Sequence, residues 1–348
     1  MSSFRGVALA SWLTLALIAA GPSAVRCDDG PDRATGDAPA APAAAATADP
    51  NAVRILSGGV PSGVADLKAM QQHLQRMSDK LLSCTVGIRL GPVRGSGVIV
   101  SSEGMVLTAA HVAGKPNVEC EVVLADGRAV RARTLGLNRN VDAGLIQILE
   151  KAEWPFVEMA KAEPAKVGQW CVATGHPGGY EAGRKPVVRL GRVLEVSDSV
   201  LITDCTLVGG DSGGPLFDAH GRVIAVHSRI GNMLAANLHV PVPAYIRSWD
   251  RLVKGDAWGH LPGQAPFLGV RGEPDANEAK IAEVFDGMPA SKAGLQVGDV
   301  VLKLDGQPVG DFNSLSKMVG DKTPEQRVVL EVRRGDQVLQ ITVVLGKR

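Results

Sequence analysis

A serine preceded by an acid and enclosed by glycines, in the stretch GGDSGGPLFD at 209–218, raises the question of covalent chemistry. A serine hydroxyl is a poor nucleophile at neutral pH. It needs a base within hydrogen-bond reach, an acid that orients the base, and donors aimed at the developing oxyanion. Glycines permit the backbone angles that turn the amides of Gly210 and Ser212 toward one point. The same residue types are common in turns, so the stretch alone decides little. Seven histidines are available as a base. His111 ends a strand-like run, LTAAHV, ahead of a turn. His176 lies in a loop before Pro177. His227 and His239 fall in strands and are expected as hydrogen-bonded core or groove residues. His73 is expected on the polar surface of a helix, His220 in a solvated hairpin turn and His260 in a connector. By position alone His111 is first among equals.

Positioning such groups takes a framework. At 348 residues the chain is long enough for two domains. Aromatics make up 4% of it, so the core must be aliphatic. A net charge of +1, with no basic stripe interleaved with aromatics, excludes a large nucleic-acid footprint. Five cysteines match no metal-ligand spacing, and no metal or organic cofactor is expected. Four of them, Cys84, Cys120, Cys171 and Cys205, lie in the folded part. They allow three pairings among which sequence cannot choose.

The start reads as an export signal: Arg5, then an apolar stretch from Val7 to Ala20, assigned to residues 1–26. Residues 27–52, rich in Ala and Pro, read as a disordered linker. Export to the periplasm or cell envelope follows, with retention as a membrane tether an alternative. The spacing of Val64, Leu67, Met70, Leu74, Met77 and Leu81 predicts an amphipathic helix over 64–82. From Cys84 to about Ile246, short apolar runs alternate with turn signals such as Asp126-Gly127 and Gly221-Arg222. That texture predicts two small β-barrels. With its helix, this first domain is placed at 53–255. After a Gly/Pro connector, a second β-rich unit occupies 260–348, with a helix started by Asp311.

Three segments taken in order, GSGVIVSSEGMVLTAAHV, NRNVDAGLIQI and GGDSGGPLFDAHGRVIAV, resemble the trypsin-like serine peptidases of the HtrA/DegP type. WCVATGHPGG is similar to the strand and loop between acid and nucleophile in that family. The resemblance covers roughly residues 84–348. It implies a mainly β fold, a chymotrypsin-like double β-barrel followed by a PDZ domain. It also implies a serine endopeptidase in which Ser212 is the nucleophile, His111 the general base and acid, and Asp142 the orienting carboxylate. The amides of Gly210 and Ser212 would form the oxyanion hole. Asp142 opens a strand-like run, which suits a carboxylate facing a cleft between barrels.

The resemblance extends to binding. The floor of the specificity pocket falls at Thr206, with Leu207 beside it, so a small or medium apolar side chain is expected there and a basic one is not. Ser228, in VHSRI, resembles the segment that pairs with substrate backbone. FLGV at 267–270 and GMPASKAGLQVGDVVLKLDGQPV at 287–309 resemble a PDZ domain of the HtrA kind. The amides of Leu268, Gly269 and Val270 would hold a peptide carboxylate, and Leu315 and Met318 would line the side-chain pocket. Unfolded proteins, peptides and free C-termini are the implied partners. Family members form trimers through N-terminal aromatics, and residues 51–83 contain none. Two departures stand out. Asp211 replaces the family's Asn before the serine, and Gly209 replaces its Pro, which predicts an oxyanion loop unformed at rest. Asp211 also suggests activation by cleavage at Arg54, with a new Ile55 amine as its partner. The rival to a peptidase is a peptide-binding chaperone or stress sensor on an idle protease fold.

Overall fold

The computed structural model describes residues 49–161, 164–231, 235–273 and 276–347. The export-signal assignment and nearly all of the linker fall outside them. The linker assignment ends too late. Helix α1 (Pro50–Leu56) begins within it, because the Asp49 carboxylate accepts from the amides of Asn51 and Ala52 and Pro50 occupies the first turn.

Helix α2 (Val64–Cys84) runs two residues past the prediction. Only part of its apolar stripe is covered. Val64 and Leu67 are exposed, whereas Met70 and Leu81 are buried. His73 corrects the expectation of a surface residue. It is buried, and its Nε2 meets the Ala219 carbonyl at 2.8 Å, because α2 lies across the Ala219–Gly221 turn of the second barrel. Burying each of Met70 and Leu81 stabilises this docking by about 1.5–3 kcal/mol.

The first barrel contains β1 (Thr85–Leu90), β2 (Val93–Ile99), β3 (Met105–Ala109), β4 (Glu119–Val123), β5 (Ala129–Asn138) and β6 (Ala143–Ile148). They follow the order β5-β4-β1-β2-β3-β6, and a β5–β6 pairing closes the ring. Helix α3 (Ala110–Ala113) interrupts it after β3. The second barrel is closed from β7 (Trp170–Gly175), β8 (Val187–Val196), β9 (Leu201–Thr203), β10 (Pro215–Phe217), β11 (Val223–Arg229) and β12 (Asn237–Pro241). Helix α4 (Val242–Val253) returns to the first barrel, where the buried Tyr245 hydroxyl donates to the Thr108 carbonyl at 2.6 Å. A short β13 (Ala257–Trp258) then pairs in parallel with β5. Inward-facing Val, Ile, Leu and Ala fill both barrels, as the scarcity of aromatics requires.

The C-terminal unit has its own aliphatic core. Two short strands, β14 (Pro266–Phe267) and β21 (Gly346–Lys347), pair at one end. The main sheet has the order β15-β16-β17-β19-β20, from β15 (Val270–Gly272), β16 (Ala279–Val284), β17 (Val300–Leu304), β19 (Arg327–Arg334) and β20 (Gln337–Val344). β18 (Gln307–Pro308) pairs with β17. Two helices cover the sheet, α5 (Pro289–Lys292) and α6 (Phe312–Gly320). Asp311 caps α6 by accepting from the Ser314 amide at 2.7 Å.

Candidate active site

His111, Asp142 and Ser212 come from three connections in the two barrels. His111 sits in α3, just past β3. Asp142 lies in the turn before β6 at φ +67°, a left-handed conformation that Asp tolerates better than most residues. The fold holds that turn in place, since the Asp142 amide donates to the Arg139 carbonyl and its own carbonyl accepts from the Ala110 amide. Ser212 lies on the loop between β9 and β10.

The Asp142 carboxylate is almost wholly buried, and three donors converge on it. His111 Nδ1 lies 2.8 Å from Oδ2, the His111 amide donates to Oδ1 at 3.0 Å, and Ser228 Oγ donates to Oδ2 at 2.6 Å. An ionised carboxylate only accepts. Nδ1 therefore carries the ring proton, and Nε2 keeps a lone pair. The Ser228 side chain is thus spent on Asp142, a role not foreseen from the sequence, which places Ser228 only in the substrate-pairing segment. Its carbonyl accepts from Ser212 Oγ at 3.4 Å. That is the hydroxyl's partner in this structure, in place of the His111 ring. Catalytic hydrogen bonds of this kind tighten once substrate is bound.

Around the nucleophile the loop is firmly held, contrary to the expectation from Gly209. The Gly209 carbonyl accepts from the Gly178 amide at 2.6 Å, which ties the loop to the segment after β7. Gly210 has φ +96°, and a Cβ there would lie 2.4–2.6 Å from backbone atoms of His176, Gly178 and Gly179. The amides of Gly210 and Ser212 have no acceptor among the described residues. They are therefore two neighbouring donors available to an incoming oxygen.

Two groups that sequence reasoning missed hold this loop. Buried Ser96 receives the loop with its amide, donating to the Ser212 carbonyl, and with its hydroxyl, donating to the Gly210 carbonyl, each at 2.8 Å. The signal was the small residue in GSG, where Gly95 and Gly97 leave room for Val112 and Val106. The second is Arg189 on β8. Its Nη2 lies 3.0 Å from Asp211 Oδ2, and the Asp211 side chain is fully buried. Arg189 is the partner that Asp211 needed, which removes the case for an Ile55 amine. Ile55 is itself buried in α1 against Leu56, Met70 and Ala219.

The remaining candidates are placed as follows. Thr206 is exposed, and Leu207 beside it is buried and turned inward. In the C-terminal unit, a cavity of about 340 Å³ opens over Leu268, Gly269 and Val270, with Phe312, Leu315 and Val319 of α6 opposite. Met318 does not line it. On a helical period the face toward β15 carries 312, 315 and 319, and Met318 packs on the core instead. The amides of Leu268 and Gly269 have no acceptor among the described residues.

Residues 95–226 match the family described as trypsin-like peptidase domain, and residues 266–345 match the PDZ domain family. Over 271 residues the chain is 32% identical to a probable periplasmic serine endoprotease, DegP-like, from Hahella chejuensis, covering 73% of this chain and 57% of that one. A protein of the same description from Pseudomonas putida is 32% identical over 267 residues, covering 72% of this chain and 55% of that one. The chain spans a little over half the length of these relatives. The crystal structure of the serine endoprotease from Yersinia pestis superposes with a TM-score of 0.49 at 21% identity, covering 83% of this chain and all of the other. With both domains matched in order, the chain carries a trypsin-like peptidase domain followed by a PDZ domain and is similar to DegP-like serine endoproteases.

Proposed function

We propose that this protein is an exported serine endopeptidase whose PDZ domain binds peptide C-termini. The observation that carries the reading is the Asp142 carboxylate, which holds the His111 ring by Nδ1 and also the hydroxyl of Ser228, the residue whose carbonyl accepts from Ser212 Oγ. Ser212 Oγ attacks the scissile carbonyl while His111 Nε2 takes its proton. The oxyanion is received by the amides of Gly210 and Ser212. His111 then protonates the leaving amine. Water, deprotonated by the same ring, cleaves the acyl-enzyme and returns the serine. Asp142 and Ser228 keep the imidazole oriented and stabilise it when charged. Apart from the substrate and the attacking water, every group in this cycle is a side chain or amide of the chain itself.

Exposed apolar segments of unfolded proteins suit a site whose expected pocket floor, Thr206, carries no charge. The relatives' description as periplasmic supports the same setting. The two free amides beside the PDZ cavity suit a carboxylate, and its apolar lining suits an aliphatic terminal residue. The test is casein hydrolysis by the purified chain, with and without a peptide ending in an apolar residue, beside Ser212→Ala. Cleavage that vanishes in the variant is the expected result. A correctly folded wild-type chain that cleaves nothing in either condition would overturn the reading in favour of a binding protein.

A further inference from the structure

Of the four described cysteines, all buried, one pair meets. Cys171 Sγ and Cys205 Sγ lie 3.8 Å apart inside the second barrel. Sequence allowed three pairings and could not choose. Cys171 lies on β7 opposite Gly191 of β8. Cys205 follows β9, where the chain folds across the same glycine. A Cβ at Gly191 would lie 2.5 Å from Cys205 Sγ and 3.1 Å from the Cys205 amide nitrogen. Only the missing side chain at 191 lets the second sulfur reach the first.

The geometry points to Cys171–Cys205 as a disulfide site, closed by thiol–disulfide exchange with an external disulfide when the chain folds in an oxidising compartment. The two sulfurs must approach by about 1.8 Å to reach bonding distance, a closure within reach of side-chain rotation and a small shift of the segment after β9. In the exchange, the Cys205 thiolate attacks one sulfur of the external disulfide and expels the other as a thiolate. The Cys171 thiolate then attacks Cys205 Sγ in the mixed disulfide and expels the second. Two protein thiols are oxidised, one external disulfide is reduced to two thiols, and the two protons pass to the released thiolates.

The charges suit that order. Cys171 is pushed up by its neighbour Cys205 and by burial, while Cys205 is drawn down by the hydrogen bond from Cys171. The other two thiols have no such partner, and burial pushes Cys120 up to about 11 and raises Cys84. Compartment fits as well, since the start of the chain reads as an export signal and the relatives are described as periplasmic. The bond would tie β7 to the segment carrying Thr206 and Leu207, three residues short of the Gly210 amide. It would thereby brace the loop that presents the nucleophile.

The test needs no peptidase activity, so it stands apart from the proposed function. The full chain is unfolded with reductant, refolded in oxidised glutathione, alkylated and digested with trypsin without reduction. The expected result is a linked pair of peptides, 167–184 with 193–222, with Cys84 and Cys120 alkylated. Cys27, outside the described residues, is reported by its own peptide, 27–33. The wild-type chain should melt several degrees higher oxidised than reduced, a gain that Cys171→Ser and Cys205→Ser each abolish. Alkylation of both Cys171 and Cys205 after oxidative refolding, or linkage of either to Cys84 or Cys120, would overturn the proposal. The wild-type comparison with and without reductant decides the matter even if a serine variant fails to fold.

Discussion

Arg189 Nη2 lies 3.0 Å from Asp211 Oδ2, so a cation on β8 neutralises the buried acid that immediately precedes Ser212. The same Asp211 oxygen accepts from the Val208 amide at 3.0 Å, joining strand, acid and oxyanion loop in one unit. Removing Arg189 strands a buried carboxylate. Arg189→Ala is expected to cost about 3–5 kcal/mol in urea denaturation and to lower peptidase turnover more than it raises KM. Arg189→Lys should recover part of both. Equal activity of Arg189→Ala and wild type, at equal folded fraction, would show that the loop does not depend on this pair.

Ser228 Oγ donates to Asp142 Oδ2 at 2.6 Å, and its hydroxyl makes no other hydrogen bond among the described residues. Hydrogen bonds to charged groups contribute about 1.5–3 kcal/mol. Ser228→Ala should therefore reduce kcat by about ten- to a hundredfold with KM little changed. Asp142→Asn should be far more damaging, by about 10⁴-fold, because it permits the wrong imidazole tautomer. Steady-state kinetics on a peptide substrate separate the two. A raised KM with unchanged kcat for Ser228→Ala would return that side chain to the substrate pocket.

Acid should destabilise the second barrel before it titrates ordinary carboxylates. Burial holds His239 down to about 3. Burial and then Arg184 hold His176 down to about 4. Burial and then His239 keep His227 well below its usual value. In the unfolded chain these rings take up protons at about pH 6.5. Protonation therefore favours unfolding. The stability of the neutral rings is fully present above about pH 6.5. It is lost as pH falls through that value, down to about 3–4, where the folded rings also charge. Calorimetry between pH 7.5 and about pH 5 should show a falling Tm, with a shallower slope for His239→Gln. Parallel slopes for both proteins would count against this assignment.

Gly269 has φ +82°, and a Cβ there would lie 2.4 Å from Met288 Cβ. Gly269→Ala should distort the two free amides beside it and weaken binding of a C-terminal peptide by at least about tenfold, the scale of one or two lost charge-assisted hydrogen bonds. Fluorescence anisotropy with a labelled peptide measures this. Amidating the peptide terminus should have a comparable effect on the wild-type protein. Undiminished binding of the amidated peptide would show that the carboxylate is not what the amides hold.

Local pattern carried much of this protein. Turn pairs such as Asp126-Gly127, the Asp311 cap of α6 and the alternating apolar runs are written in adjacent residues, because backbone conformation and strand amphipathicity act over a few positions. The order of motifs around His111, Asp142 and Ser212 was legible for the same reason: each is a short segment with its own glycines and small residues. What sequence could not decide were pairings between distant segments. Arg189 and Asp211 are ordinary charges until β8 and the nucleophile loop pack together. Ser228 reads as backbone until its hydroxyl is found on Asp142. His73 looks like helix surface until α2 lies over Ala219, and Met318 looks like groove until the rotation of α6 sets it on the core. Cys171 and Cys205 are two of four equivalent thiols until Gly191 lets them meet. In each case the partner lies far along the chain, so only tertiary packing brings the two groups within bonding distance.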